Sequence, residues 1–298
     1  KNYYDLGIDA FWLDNSEPDY CAYDFDNYRY INGSALESSC QYPQWYSRIF
    51  YDPMTELQKA PVVNLLRSGC AGSQKYGNVL WSGDVPSTFE ALQDQLQAGL
   101  NIGLAGIPWW TTDIGGFFGA NIYDESYHEV FVRWFEYGAF CPVMRLHGYR
   151  MPYQPQFGTT GGAECVSGAP NEIWSYGDQV YEICKKYITI RETMRPYTRE
   201  LMKAAHEKGT PVMRPLFYDF PEDAVCWDNE KEFMYGPNIL VAPVMERGEK
   251  TKEVYLPAGT RWTNVWTKEA FEGGQTVTVA TPLDQIPLFT REGYTLEV

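Results

Sequence analysis

Ile8-Asp9-Ala10-Phe11-Trp12-Leu13-Asp14 is an apolar run that stops on an acid. Val79-Leu80-Trp81-Ser82-Gly83-Asp84 repeats that design farther along the chain. Each reads as a β-strand meeting a loop. Acids at the C-terminal ends of parallel strands point into the shared mouth of a β/α barrel, where loops build active sites. Two carboxylates facing each other across a cleft are the minimum machinery for cleaving a glycosidic bond.

Working outward from these runs, strand and helix signals alternate over the first two hundred residues or so. The strand candidates are Gly7–Leu13, Pro61–Arg67, Val79–Gly83, Leu104–Trp109 and Cys141–Leu146. Ser87-Thr88-Phe89-Glu90 reads as a capping box that opens a helix to about Asn101. Tyr123–Tyr137 reads as a second helix. Gly177–His206 reads as a third and the longest, with Val180, Ile183, Tyr187, Ile190, Met194 and Tyr197 at helical spacing and Gly209 beyond its end. Ser16–Tyr51 and Met151–Pro170 read as loops. This alternation argues for a parallel sheet or barrel. After about residue 212 the pattern turns to short runs bounded by Gly, Pro and Asn. Phe233–Tyr235, Ile239–Val241, Glu253–Leu256, Thr276–Ala280 and Ile286–Phe289 predict an antiparallel β domain. The expected fold is α/β: the C-terminal part of a (β/α)8 TIM barrel over 1–211, then a β-sandwich-like domain over 212–298.

Composition narrows the chemistry. A net charge of −15 over 298 residues argues against a nucleic-acid partner, because phosphate binding needs a basic face. No apolar run reaches the length of a membrane span. Aromatic residues make up 16%, enough for both a large aromatic core and sugar-stacking rings. The seven cysteines contain no Cys-x-x-Cys, so zinc and redox motifs are unsupported. Asp14-x-Ser16-x-x-Asp19 alternates oxygens but lacks the Gly and distal Glu of a calcium loop. Cys70, in a glycine-rich turn, reads as a buried thiol. No cofactor is expected.

Taken singly, Asp14 and Asp84 could each cap a helix or bond a loop amide. Their neighbours change that reading. Phe11-Trp12-Leu13-Asp14-Asn15-Ser16-Glu17-Pro18-Asp19 resembles the nucleophile motif of glycoside hydrolase family 31, which contains α-glucosidases and α-xylosidases. Arg67-Ser68-Gly69-Cys70-Ala71-Gly72-Ser73-Gln74-Lys75-Tyr76 with Trp81-Ser82-Gly83-Asp84 resembles its acid/base region. Trp109-Trp110-Thr111-Thr112-Asp113-Ile114-Gly115-Gly116-Phe117 and Arg145-Leu146-His147-Gly148-Tyr149 are further landmarks in the family's order. The resemblance implies that Asp14 is the nucleophile and Asp84 the acid/base. It implies that Arg67 holds sugar hydroxyls or steadies the acid/base, that His147 donates to a ring hydroxyl, and that Trp81 and Phe117 line the pocket. Asp113 would bond the sugar or orient Arg67 or His147. Trp12 would wall the pocket, with core packing as an equal alternative.

Asn15-Ser16-Glu17 stands where family members acting on α-glucosides commonly carry Met-Asn-Glu, and so looks closer to the α-xylosidase side. The implied partner is an oligosaccharide or glycoside. Hydrolysis, lyase or transglycosylase chemistry, and non-catalytic sugar binding all share this scaffold. Five strand candidates fall short of the eight a barrel needs. The chain therefore reads as starting mid-barrel, with an N-terminal half-barrel expected to complete it. The chain alone is expected to be inactive or nearly so.

Overall fold

The computed structural model describes residues 2–18, 29–57 and 61–298. Four short strands form one parallel sheet in sequence order: β1 (Ala10–Leu13), β2 (Val63–Leu66), β3 (Asn78–Trp81) and β4 (Trp110–Thr111). The parallel register pairs Leu13 with Leu66, Leu66 with Leu80, and Trp81 with Thr111. Helices α1 (Tyr42–Glu56) and α2 (Phe89–Leu104) fill the β1–β2 and β3–β4 crossovers, and α3 (Glu125–Gly138) follows β4. α2 opens on Thr88, whose hydroxyl accepts from the Ala91 amide at 3.2 Å. The cap thus falls one residue later than the Ser87…Glu90 box predicts. α2 packs closely on β4 because Gly99 leaves room for Trp110; a Cβ there would stand 2.7 Å from the indole nitrogen.

Several expectations shift. The run 104–109 is not a strand. Leu104 ends α2, Gly106 turns the chain at φ +90°, and the strand proper begins at Trp110. The run 141–146 bends over Cys141–Val143 and does not join the sheet as a fifth strand. It bonds through Val143 N to Trp110 O (3.1 Å) and Ile114 N to Arg145 O (3.4 Å), and Pro142 has no amide to continue a ladder. The long helix divides into α4 (Asp178–Thr193) and α5 (Arg195–Lys208), since the Pro196 ring cannot pass the carbonyl four residues earlier. Gly209 ends α5 at φ +69°. The expected loop 16–51 contains a capped turn of helix, Ala35–Ser38, and most of α1. Tyr42, Tyr46 and Phe50 form a ladder down one face of α1, ending on Phe11 of β1. Asp19, the far end of the calcium-like pattern, lies outside the described residues.

The C-terminal strands are β5 (Met213–Pro215), β6 (Phe233–Tyr235), β7 (Ile239–Val241), β8 (Thr251–Leu256), β9 (Arg261–Asn264), β10 (Ala270–Glu272), β11 (Gln275–Ala280) and β12 (Leu288–Arg291). Six form a sheet in the order β10-β9-β12-β7-β6-β5, all antiparallel, while β8 pairs with β11. β8 alternates as a two-faced strand should, with Lys252, Val254 and Leu256 inward. Val254 and Leu256 meet Met234, Leu240, Trp262 and Phe289 across the sandwich.

The second, larger core runs from Leu13 and Leu66 through α3 and α4 to Ile286, Leu288 and Leu296, so the two layers share it. Polar bonds fasten the joint. Arg133 on α3 donates to the carbonyls of Thr281 (2.7 Å), Pro282 (3.1 Å) and Gln285 (3.4 Å), and to Glu136 Oε2 (3.0 Å). Tyr187 OH donates to Asp284 O and accepts from Ile286 N. α3 in turn braces the sheet, as Trp134 Nε1 donates to Thr112 Oγ1 at 2.9 Å.

Candidate active site

Each strand of the parallel sheet delivers a polar side chain just past its C-terminal end. β1 delivers Asp14, β2 Arg67, β3 Asp84 and β4 Asp113. The shared register makes these positions neighbours, which is how a barrel mouth assembles a site from distant segments. Arg67 is the hub. Its Nη1 lies 3.3 Å from Asp14 Oδ1 and 3.9 Å from Asp84 Oδ2. Its Nε donates to Glu17 Oε1 at 2.7 Å and its Nη2 to Asn15 Oδ1 at 3.0 Å. Two carboxylates that reach one nitrogen on legs this short sit within a span that includes the roughly 5–5.5 Å of retaining glycosidases.

The turn after β1 is built for this. Asn15 takes φ +50°, a left-handed conformation that Asn tolerates better than most residues. That turn lets its amide donate to Asp14 Oδ1 at 2.8 Å. Ser16 is buried, sharing a hydrogen bond with Ser68 Oγ at 2.9 Å. Tyr46 OH holds the Asp14 carbonyl at 3.4 Å. The loops after β3 and β4 touch at Gly116, where φ is +76° and a Cβ would meet Pro86 O at 2.6 Å.

Aromatic rings continue the site. Trp12 is 54% exposed, with Trp81 at 5.9 Å and His147 edge-on at 5.2 Å. His147 stacks on Phe117 at 5.6 Å. Trp81, expected to line the pocket, is only 2% exposed and lies behind Trp12. Arg145 spreads over it at 5.6 Å. Asp113 is fully buried and forms an ion pair with Arg145, not with Arg67 or His147. All eight residues singled out from the sequence therefore fall in one cluster. Two of its members, Glu17 and Arg145, carried no assigned role in the sequence reading, although both lie inside the motifs. The signal for Arg145 was its spacing, since it and His147 are two apart in extended chain and share a face. For Glu17 the signal was a second acid three residues after the first.

The electrostatics separate the two acids. Burial pushes the Asp84 carboxyl above its ordinary range; Arg67 opposes this, and Asp14 adds to it. The Arg67 hydrogen bond holds Glu17 below its ordinary range. Burial lowers His147, against the pull of Asp113 and with the push of Arg145, which favours a neutral ring with one donor and one acceptor. Asp14 and Asp84 remain 43% and 45% exposed, so this face is open. Among the described residues no group of three or more His, Cys, Asp and Glu could hold a metal ion. No described helix is long and apolar enough to cross a membrane.

Fold and site together define a barrel-type domain whose mouth presents paired carboxylates beside aromatic rings. The sequence profile of the Glycosyl hydrolases family 31 TIM-barrel domain matches residues 1–201, and that of the Glycosyl hydrolase family 31 C-terminal domain matches 209–296. The chain belongs to glycoside hydrolase family 31. It is 38% identical over 309 aligned residues to an alpha-xylosidase of Saccharolobus solfataricus, covering 99% of this chain and 39% of that protein. It is 32% identical over 305 residues to alpha-glucosidase 2 of Bacillus thermoamyloliquefaciens, covering 98% of this chain and 35% of that one. The crystal structure of a family 31 alpha-xylosidase from a soil metagenome, complexed with xylose, superposes with a TM-score of 0.95 at 52% identity, covering 99% of this chain and 44% of that one. The chain thus spans less than half the length of these relatives.

Proposed function

We propose that this chain carries both catalytic acids of a retaining, exo-acting α-glycosidase that releases terminal α-xylosyl or α-glucosyl residues. The observation that carries the reading is the single Arg67 nitrogen that reaches both Asp14 and Asp84. In the first displacement Asp14 attacks the anomeric carbon and becomes a neutral ester. Asp84 gives its proton to the leaving oxygen and becomes the anion. One negative charge therefore moves from Asp14 to Asp84 beside a guanidinium that faces both. In the second displacement Asp84 takes a proton from water, the water oxygen attacks the anomeric carbon, and Asp14 leaves as carboxylate. The raised Asp84 keeps its proton at higher pH than an ordinary carboxyl, as an acid catalyst needs.

Around that centre, Trp12, His147 and Phe117 offer ring faces and one N–H to a sugar. Asp113 Oδ2 is buried without a hydrogen-bond partner among the described residues, which leaves Asp113 a spare acceptor beside its ion pair with Arg145. Xylose is favoured by the relatives named for it and by Asn15-Ser16-Glu17. Four strands do not close a barrel, and the acids stand open to solvent. The chain alone is therefore expected to turn over little or no substrate.

Aryl α-xyloside and aryl α-glucoside, given to the chain and to a form extended upstream to close the barrel, test this. Hydrolysis of one sugar by the extended form, lost in Asp14→Ala and lowered in Asp84→Ala, is the expected result. Sugar binding without turnover by the folded extended form would instead make the domain a non-catalytic binder.

A further inference from the structure

Arg150 is fully buried, and among the described residues no carboxylate pairs with it. Its bonds go to the carbonyls of Ile114 (3.0 Å), Gly116 (2.6 Å) and Phe117 (3.1 Å), to Ser87 Oγ (3.5 Å), to Asn171 Oδ1 (3.3 Å) and to Tyr176 OH (3.1 Å). These partners belong to four segments: the loop after β4, the loop after β3, and two points on the approach to α4. Arg150 itself ends the extended run that carries Arg145 and His147. A guanidinium costs several kcal/mol to bury without a counter-ion, so only a fork of directed bonds makes this position tenable.

The glycines around it fit the same reading. A Cβ on Gly115 would stand 3.0 Å from Arg150 Nη2, and one on Gly168 would stand 3.0 Å from Arg150 N. One on Gly148 would overlap the guanidinium carbon. Gly115 and Gly148 thus clear the space that this side chain fills, and Gly168 lets the chain pass close to the Arg150 backbone. The Phe117 carbonyl is held twice, by Arg150 and by the Tyr149 amide at 2.6 Å. Its ring stacks on His147.

We infer that Arg150 is a positioning residue, fixing Phe117 and, stacked on it, His147, and so setting the fit of the bound sugar without touching it. This rests on the glycosidase reading. Lysine keeps the charge but cannot hold three carbonyls and three side chains with one compact head, so charge alone does not restore the role. A displacement of about 1 Å at a reacting centre can cost about 100-fold in rate.

The test compares Arg150→Lys and the milder Tyr176→Phe with the parent full-length protein. The active-site titre, kcat and KM on aryl α-xyloside and aryl α-glucoside are measured, together with the Kd for xylose by calorimetry. The expected result is a KM and a xylose Kd raised about tenfold or more per titrated site in Arg150→Lys. Tyr176→Phe, which keeps Arg150 and removes one acceptor, should move both the same way by less. If Arg150→Lys does not fold, the Tyr176→Phe constants decide alone. A purely structural role lowers the titre and leaves KM and Kd within twofold; that result in the folded variants overturns the inference. A parent that turns over neither glycoside overturns the glycosidase reading instead, and the xylose Kd still decides the role of Arg150.

Discussion

Replacing Glu136 with glutamine should remove a pH dependence from the stability of the joint between the two layers. Glu136 is fully buried on α3 beside Arg133, Tyr187 and Lys186, and burial pushes its carboxyl from 4.5 up to about 7 in spite of Arg133. Between those values the folded chain keeps a proton that the unfolded chain releases. The contribution is therefore whole below about pH 4.5 and is lost as pH rises through about 7. At about 1.4 kcal/mol per pH unit, that gap corresponds to about 3 kcal/mol. Glutamine mimics the protonated acid, and Arg133 keeps its carbonyls at Thr281, Pro282 and Gln285. The two proteins should be equally stable at the acid end, with Glu136→Gln the more stable above pH 7. Urea unfolding followed by tryptophan fluorescence, taken as parent minus variant at each pH, cancels the other titrations. A difference that stays flat from pH 4.5 to above 7 would refute the assignment of that proton.

In the extended form, Asp84→Ala should lose about 100- to 10,000-fold on poorly activated leaving groups and far less on strongly acidic phenols; a series of aryl glycosides reads this. Arg67→Met removes a cation that lowers Asp84, so the alkaline limb of kcat/KM should move to higher pH; an unmoved limb contradicts the hub. Gly116→Ala puts a side chain at φ +76° against Pro86 O and should destabilise by more than about 1 kcal/mol, read as a lower Tm.

The first and third strands were legible because aromatic runs ending on an acid have no competing helical period. The antiparallel layer was legible from its short punctuated runs, though β5, β9 and β10 were missed because Met213–Pro215, Arg261–Asn264 and Ala270–Glu272 each alternate over too few residues. α1 was hidden by its tyrosines, which with the Asn, Asp and Ser before them read as loop composition, whereas its stripe is set by packing on Phe11. The division at Met194 follows from one proline that the regular apolar stripe outweighed. At the site, motif order brought out the eight residues singled out. The pairing of Asp113 with Arg145, the burial of Trp81 behind Trp12, and the Arg150 cage are tertiary facts that no local spacing encodes.

The central claim is that Asp14 forms the sugar ester. The direct measurement is to treat the extended form with a fluorinated α-xylosyl fluoride, digest it, and locate the added mass by peptide mass spectrometry. One sugar on the peptide at Asp14, absent from Asp14→Ala, is the expected result. A sugar on another carboxylate, or no adduct in an enzyme that hydrolyses xylosides, would contradict it.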